Sequence, residues 1–155
     1  MIKYIVLIAF LLHYAVAAQE LKIKANLFST DEAKGLSIFD GSVNVLKGSD
    51  ELNASKVLVY TDKKRKPIKF IATGDVSFNI TTKERAHYEG SAQKVIYKPQ
   101  NKEYRFYGDV HLKQLDEKKE ILGDEVILNI VDGKACAKGL KKEPVIMIFD
   151  MKDEE

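Results

Sequence analysis

Carboxylates beside glycines are the side chains best suited to catalysis in this sequence. Asp75 and Asp109 each follow a glycine, and Asp124 lies beside Glu125. Two carboxylates across a cleft would suit glycoside hydrolysis, with one acting as acid and the other as nucleophile or base. Asp next to Gly is also an ordinary turn signal, and these positions are dispersed along the chain. We therefore predict no catalytic residue and expect that the protein is not an enzyme.

Histidine and cysteine are too sparse to indicate a metal centre. His87 and His111 lie 24 residues apart, without a neighbouring cysteine or histidine at ligand spacing. Cys136 lies in the small-residue segment KACAK, where nothing suggests a lowered thiol pKa. We predict neither a metal nor a cofactor, and we expect Cys136 to be a buried spacer.

Charge is nearly balanced, with 25 basic and 23 acidic residues and a net charge of +2. Nucleic-acid binding proteins need a large basic excess, so no nucleic-acid partner is expected. The strongest local charge is the run from Lys63 to Lys66 before Pro67. A solvated hairpin loop is the favoured interpretation of this run, and contact with lipid phosphates or with an acidic partner is the alternative.

The N-terminal segment differs in composition from the rest of the chain. Lys3 precedes an apolar run over residues 4–16, which ends in the small residues of 15–18. The run is shorter than the roughly 20 residues of a spanning helix and fits a signal peptide. We predict that residues 1–18 are cleaved before Ala18 or Gln19 and that the protein is exported, with an uncleaved anchor as the alternative.

From residue 21 onward the apolar residues follow a period of two. Val76, Phe78 and Ile80, for example, alternate with polar residues. Such alternation is typical of strands with one buried face, and one helical turn near residues 30–34 is compatible with the pattern. Turn signals recur at the spacing of sandwiches and barrels. They are Asp40-Gly41, Lys47-Gly48, Thr73-Gly74, Glu89-Gly90, Tyr107-Gly108 and Asp132-Gly133.

An internal repeat organises these strands. The related segments are FDGSVNV at 39–45, ATGDVSF at 72–78 and FYGDVHL at 106–112, whose glycines are 33 and 34 residues apart. Each is followed by a second apolar strand, so the repeated unit is a hairpin. Stacked hairpins with one apolar face build an extended wall or groove.

Several segments resemble, in order, the LptA (OstA-like) family of periplasmic lipopolysaccharide transport proteins. They are LKIKAN, IFDGSVNVLKG, NASKVLVY, EGSAQKVIY, YGDVHLKQ and LGDEVILNIVDGKACAKG. The resemblance implies an all-β, open β-jellyroll of stacked short antiparallel strands with an apolar groove between two sheets. It would span residues 19–150, followed by an acidic tail at 151–155.

The same resemblance implies a function and its partners. The protein would shield the acyl chains of lipid A, the lipopolysaccharide anchor, between the inner and outer membranes. Copies would join head to tail between an inner-membrane anchored component and an outer-membrane translocon. Two alternatives stay open: the membrane-anchored partner of the same system, and a secreted structural β-repeat protein.

The apolar face of the strands supplies the candidate lipid-binding residues. They are Leu21, Ile23, Phe39, Val43, Val45, Val57, Val59, Phe70, Val76, Phe78, Val95, Tyr97, Phe106, Val110, Leu112, Val126 and Leu128. The alternative for each is an ordinary position in a closed core.

The last predicted strand offers an interface between copies, because an uncharged edge strand invites pairing with another chain. The candidate interface residues at the two ends of the domain are Leu21, Ile23, Ala25, Val145, Ile146, Met147, Ile148 and Phe149. Pairing of this last strand within its own sheet is the alternative.

Overall fold

The computed structural model describes residues 20–139 and 143–151, and its regular structure is entirely β. The strands are β1 (Leu21–Lys24), β2 (Leu27–Asp31), β3 (Leu36–Lys47), β4 (Asp50–Thr61), β5 (Pro67–Thr81), β6 (His87–Lys98), β7 (Glu103–Gln114), β8 (Lys119–Asn129), β9 (Ala135–Lys138) and β10 (Ile146–Phe149). The predicted all-β class is confirmed. Over these residues no helix is long and apolar enough to cross a membrane. The signal-peptide prediction for 1–18 lies outside the described residues.

The strands form one continuous antiparallel sheet, where two sheets were expected from the sequence. Its order is β1-β3-β4-β5-β6-β7-β8-β10, with β2 also on β3 and β9 also on β8. The six central strands have 11 to 15 residues each. They are longer than predicted because they run without interruption through a bend that crosses the sheet.

The bend is a line of β-bulges, and it explains the repeated glycines. Gly41, Gly74 and Gly108 have φ of 81°, 83° and 78°, and the residue after each is also left-handed. The pairing register shifts at these sites. The prediction of turns there was wrong, because a glycine-initiated bulge bends a strand without ending it. Lys47-Gly48 and Asp132-Gly133 do lie in turns, whereas Gly90 is inside β6.

Bending along this line gives the sheet two facing layers. The first layer contains β1, β10 and residues 43–47, 50–54, 76–81, 87–92, 110–114 and 119–123. The second layer contains β2, β9 and residues 36–40, 56–61, 67–73, 94–98, 103–107 and 125–129. The layers are joined along the bulges, and the hairpin loops form the tips on the opposite side.

The core lies between the layers and draws on both. Val43, Val76 and Leu112 of the first layer and Phe106 and Val126 of the second are at most 1% exposed. Small residues, Ala54, Ala72 and Ala92, are buried close to the bulges, where the layers approach most closely. The short segment 32–35 is a reverse turn, closed by the bond from the Gly35 N–H to the Glu32 carbonyl at 3.2 Å.

Candidate functional site

A cavity of about 260 Å³ opens between the layers at the end of the sheet that carries β1. The first layer contributes Leu21, Val45, Lys47, Asp50, Glu51, Leu52 and Ile80. The second layer and its tips contribute Val57, Lys66, Pro67, Phe70, Ala72, Val95, Tyr97, Pro99 and Tyr104. The walls are mostly aliphatic and aromatic, and the charged side chains come from the strand ends and loops.

A row of aromatic rings runs from the cavity into the core. Ring centroids are 6.0 Å apart for Phe70 and Tyr97, 4.4 Å for Tyr97 and Tyr104, and 6.0 Å for Tyr104 and Phe106. Phe106 then contacts Phe78 of the facing layer at 4.4 Å. This contact closes the interior at its middle, so the cavity ends against packed rings.

The predicted lipid-binding residues divide between cavity and closed core. Those that line the cavity are Leu21, Val45, Val57, Phe70, Val95 and Tyr97. Those buried without lining it are Val43, Val59, Val76, Phe78, Phe106, Val110, Leu112, Val126 and Leu128. Ile23 and Phe39 pack against the core while partly buried. Nine of the seventeen candidates are therefore packed as buried residues outside this cavity.

Several cavity residues were missed by the sequence reasoning. Leu52, Ile80 and Tyr104 line the walls. Leu52 shares a face with the buried Ala54 by period two, so the alternation in this segment could have identified it. Tyr104 carries the same signal, two residues before Phe106, and could have been found.

Electrostatics at the cavity mouth centre on Lys47 and Asp50. The Lys47 Nζ lies 3.5 Å from the Tyr97 hydroxyl and 5.3 Å from the centre of that ring. The Asp50 Oδ1 accepts the Thr81 N–H at 2.9 Å. Burial nonetheless raises the pKa of Asp50, and the Thr81 N–H and the charge of Lys47 oppose that rise. Burial also raises the pKa of Tyr104, which stays neutral.

Backbone hydrogen bonds tie the tips of the layers together beyond the cavity. The Lys83 N–H donates to the Ile130 carbonyl at 3.1 Å, and the Ile130 N–H donates to the Lys102 carbonyl at 3.0 Å. Lys83 lies in the β5–β6 loop of the first layer, whereas Lys102 and Ile130 belong to tips of the second. The interior is thus bridged here and accessible at the β1 end.

A second cavity, of about 480 Å³, lies at the opposite end of the sheet near β9 and β10. Tyr88, Leu112, Ile121 and Met147 form its apolar part. Three alanines, two of them in β9, also line it, and most of the remaining lining is charged or polar, from the β5–β6 and β7–β8 loops and the turn before β9. The mixed lining makes it the weaker candidate for an acyl chain.

Both ends of the sheet carry unpaired strand edges within the described residues. One edge of β10 pairs with β8 of the same sheet, with Ile146 opposite Leu122. The alternative in which the last strand pairs within its own sheet therefore describes this edge, and the other edge is unpaired within the described residues. The four residues of β10 are 46–56% exposed. β1 and β10 are opposite edges of the first layer, and β2 and β9 are opposite edges of the second.

The side chains considered for catalysis or metal binding lie outside both cavities. Asp75 and Asp109 occupy equivalent, exposed bulge positions. The His111 Nε2 lies 2.8 Å from the Glu120 carboxylate, and that contact lowers the pKa of Glu120. Among the described residues no group of three or more His, Cys, Asp or Glu is placed to hold a metal ion.

Two further predictions can be compared with the structure. Cys136 is exposed, which contradicts its prediction as a buried spacer, because β9 is a short strand at the edge of the sheet. The basic run forms a hairpin loop, as favoured. The Asp62 Oδ1 accepts the N–H groups of Lys64 and Lys66, and Arg65 pairs with Glu32 at 3.1 Å.

Comparison with known proteins gives two findings. A family profile described as LptA/(LptD N-terminal domain) LPS transport protein matches residues 22–134. The fold is similar to the crystal structure of LptH, the LptA homologous periplasmic component of the conserved lipopolysaccharide transport device from Pseudomonas aeruginosa. That comparison has a TM-score of 0.75 at 15% identity and covers 86% of this chain and 96% of LptH. No curated protein sequence matches.

Proposed function

This chain belongs to the LptA/LptD N-terminal domain family of LPS transport proteins, and on that premise we propose that it carries lipopolysaccharide across the periplasm with the acyl chains of lipid A between its two layers. The observation that carries this proposal is the cavity at the β1 end, whose walls are formed by Val45, Leu52, Phe70 and Tyr97 among others. A transport function of this kind needs no catalytic residue and no cofactor.

Acyl chains need an apolar cavity because exposing them to water costs free energy. Exposing one CH₂ group to water costs about 0.8 kcal/mol, so an acyl chain of a dozen carbons costs on the order of 10 kcal/mol. The 260 Å³ cavity is near the lower end of small-molecule pockets, roughly 300–1,000 Å³. It therefore accepts part of one glycolipid, and we propose that the layers, joined along the bulges, spread at the β1 end to admit the rest.

Assembly follows from the placement of the edges. We propose that β10 of one copy pairs with β1 of the next, extending the first layer, while β9 approaches β2 to extend the second. Exposed apolar side chains at these edges, including Phe28 at 60% and Phe149 at 56%, support this arrangement. A head-to-tail contact of this type leaves free edges at both ends and produces filaments.

Export and partners complete the proposal. Residues 1–18 act as a cleaved signal peptide, which delivers residues 19–155 to the periplasm. The filament would connect an inner-membrane anchored component with an outer-membrane translocon, each offering a similar strand edge to β1 or β10.

The test is lipopolysaccharide co-elution with the purified protein and with a matched pair of variants. Val45→Asp places a charge in the cavity wall, and Val131→Asp places the same charge on a side chain that is 42% exposed in the turn before β9. We expect binding by the parent and by Val131→Asp and loss of binding by Val45→Asp, with unchanged circular dichroism for all three. A well-folded parent that binds no lipopolysaccharide would favour a structural β-repeat protein instead.

A further inference from the structure

Four lysines lie at the tips of the two layers, two in the cavity wall and two in the bridged loops beyond it. Lys47 ends β3 and Lys83 lies in the β5–β6 loop, both in the first layer. Lys66 and Lys102 lie in the β4–β5 and β6–β7 loops of the second layer. They are called the tip lysines below. Residues from both layers thus bring positive charge to one side of the interior.

The geometry places two of these lysines in the cavity wall and holds the other two together beside Lys47. Lys47 and Lys66 line the cavity itself. Lys83 and Lys102 are fixed together because both their backbones bond to Ile130, at 3.1 and 3.0 Å. The ammonium group of Lys83 beside Lys102, with the charge of Lys47 further off, lowers the pKa of Lys102.

Local carboxylates offset this charge only in part: Asp50 lies opposite Lys47 in the sheet and interacts with its charge. Within the described residues, none of the tip lysines has a carboxylate partner within 4.0 Å. Asp50 accepts the Thr81 N–H, and Glu51 accepts the Asn44 side-chain amide at 2.8 Å. Adjacent ammonium groups without counter-ions repel one another, and a bound anion relieves that repulsion.

We propose that Lys83, Lys102 and Lys47 bind a phosphate monoester, that of the glycolipid whose acyl chains occupy the cavity. The inference rests on the proposed function and deepens it by naming the residues that hold the headgroup. Lysines bind phosphate as compact point charges with several donors. A ligand with acyl chains in the cavity and a phosphate at the tips would bind both regions at once.

The experiment is calorimetric titration of the purified protein with three probes. They are bisphosphorylated lipid A, the same acylated disaccharide without phosphates, and inorganic phosphate. The test variant is Lys83→Gln/Lys102→Gln. The control, Lys69→Gln/Lys94→Gln, removes the same charge from the outer face of the second layer, where these lysines lie over Tyr60 and Tyr107.

We expect the test variant to bind phosphorylated lipid A at least tenfold more weakly and to bind the phosphate-free lipid within twofold of the parent, with the control unchanged for both. Equal loss for both lipids, or no loss for either, overturns the proposal. Inorganic phosphate that binds as tightly as the lipid would overturn its assignment to a headgroup. A parent that binds neither lipid contradicts the proposed function itself, and the inorganic phosphate titration then shows whether the lysines bind a free anion instead.

Discussion

Phe78 and Phe106 face each other across the two layers, with their ring centroids 4.4 Å apart and tilted by 33°. Neither residue is paired with the other in the sheet, since Phe78 lies opposite Leu52 and Gly90 and Phe106 lies opposite Val95 and Val126. The contact therefore joins the layers and separates the cavities at their two ends. It marks the point at which the cavity at the β1 end gives way to a closed core.

Removing this contact should destabilise the whole fold. We expect Phe106→Ala to lower the free energy of unfolding by about 3–5 kcal/mol, because a fully buried ring leaves a void. The control is Phe28→Ala on β2, whose ring is 60% exposed, with an expected change within about 1 kcal/mol. Urea denaturation followed by circular dichroism measures both, and similar losses would contradict the account of the core.

The bulge glycines should tolerate substitution poorly. At Gly74, φ is +83° and an added Cβ would lie 2.5 Å from the Ser55 Oγ, whose hydroxyl donates to the Gly74 carbonyl. We expect Gly74→Ala to cost about 2–4 kcal/mol of unfolding free energy, from backbone strain and crowding together. Gly133→Ala is the control, with φ of +68° and nothing within 4 Å, and it should cost only about 1–2 kcal/mol. Equal costs would show that the bulge is not crowded.

Asp50 should make stability depend on pH in a defined direction. Burial raises its pKa from the ordinary value of 3.8, so the folded state holds the proton more tightly than the unfolded chain does. Ionisation therefore costs stability, beginning as the pH rises through 3.8 and reaching its full extent above the raised pKa of the folded state. We expect Asp50→Asn, which can still accept the Thr81 N–H, to gain stability relative to the parent at pH 7 but not at pH 3.

Urea midpoints at the two pH values measure this difference. A gain of the same size at pH 3 and pH 7 would mean that proton binding at Asp50 does not distinguish the folded from the unfolded state. Because Asp50 lies at the cavity mouth near Lys47, the same variant should also bind an anionic lipid more tightly.

Self-association should depend on β10. Deleting residues 144–155 removes that strand, and we expect the remaining sheet to fold while concentration-dependent oligomers disappear in light scattering. Deleting only residues 152–155 leaves β10 intact and should leave the oligomers unchanged. Oligomers that persist without β10 would contradict pairing through this edge.

The sequence predicted the fold class well because alternation and glycine spacing are local signals. It missed the continuity of the strands, since Gly108 followed by Asp109 is the same signal for a turn and for a bulge. The spacing of apolar residues on neighbouring strands contained the distinction. Across Gly74 the buried positions of β5 stay even, from Ala72 to Val76, whereas those of its partner β4 change from even at Ala54 to odd at Val57. The bulge gives β5 one more residue than β4 between the paired positions on either side.

The candidate site was less predictable. Val45 and Val43 are both inward-facing valines of one strand, yet Val45 lines the cavity and Val43 is 1% exposed in the core. What separates them is the packing of the facing layer, which brings Phe106 against Phe78 at the middle of the interior but leaves space at the β1 end. Lys47 and Lys83 lie 36 residues apart in the same layer. Only the bending of the sheet brings them to the same side of the interior as Lys66 and Lys102 of the second layer.

The most direct test of the central claim places a single tryptophan inside or outside the layers. The chain has no tryptophan, so Tyr97→Trp reports from the cavity and Tyr107→Trp from the outer face of the same layer. With lipopolysaccharide carrying bromine-labelled acyl chains, we predict a blue shift and quenching for Tyr97→Trp and neither for Tyr107→Trp. Equal quenching of both variants, or quenching of the outer one alone, would contradict a lipid held between the layers.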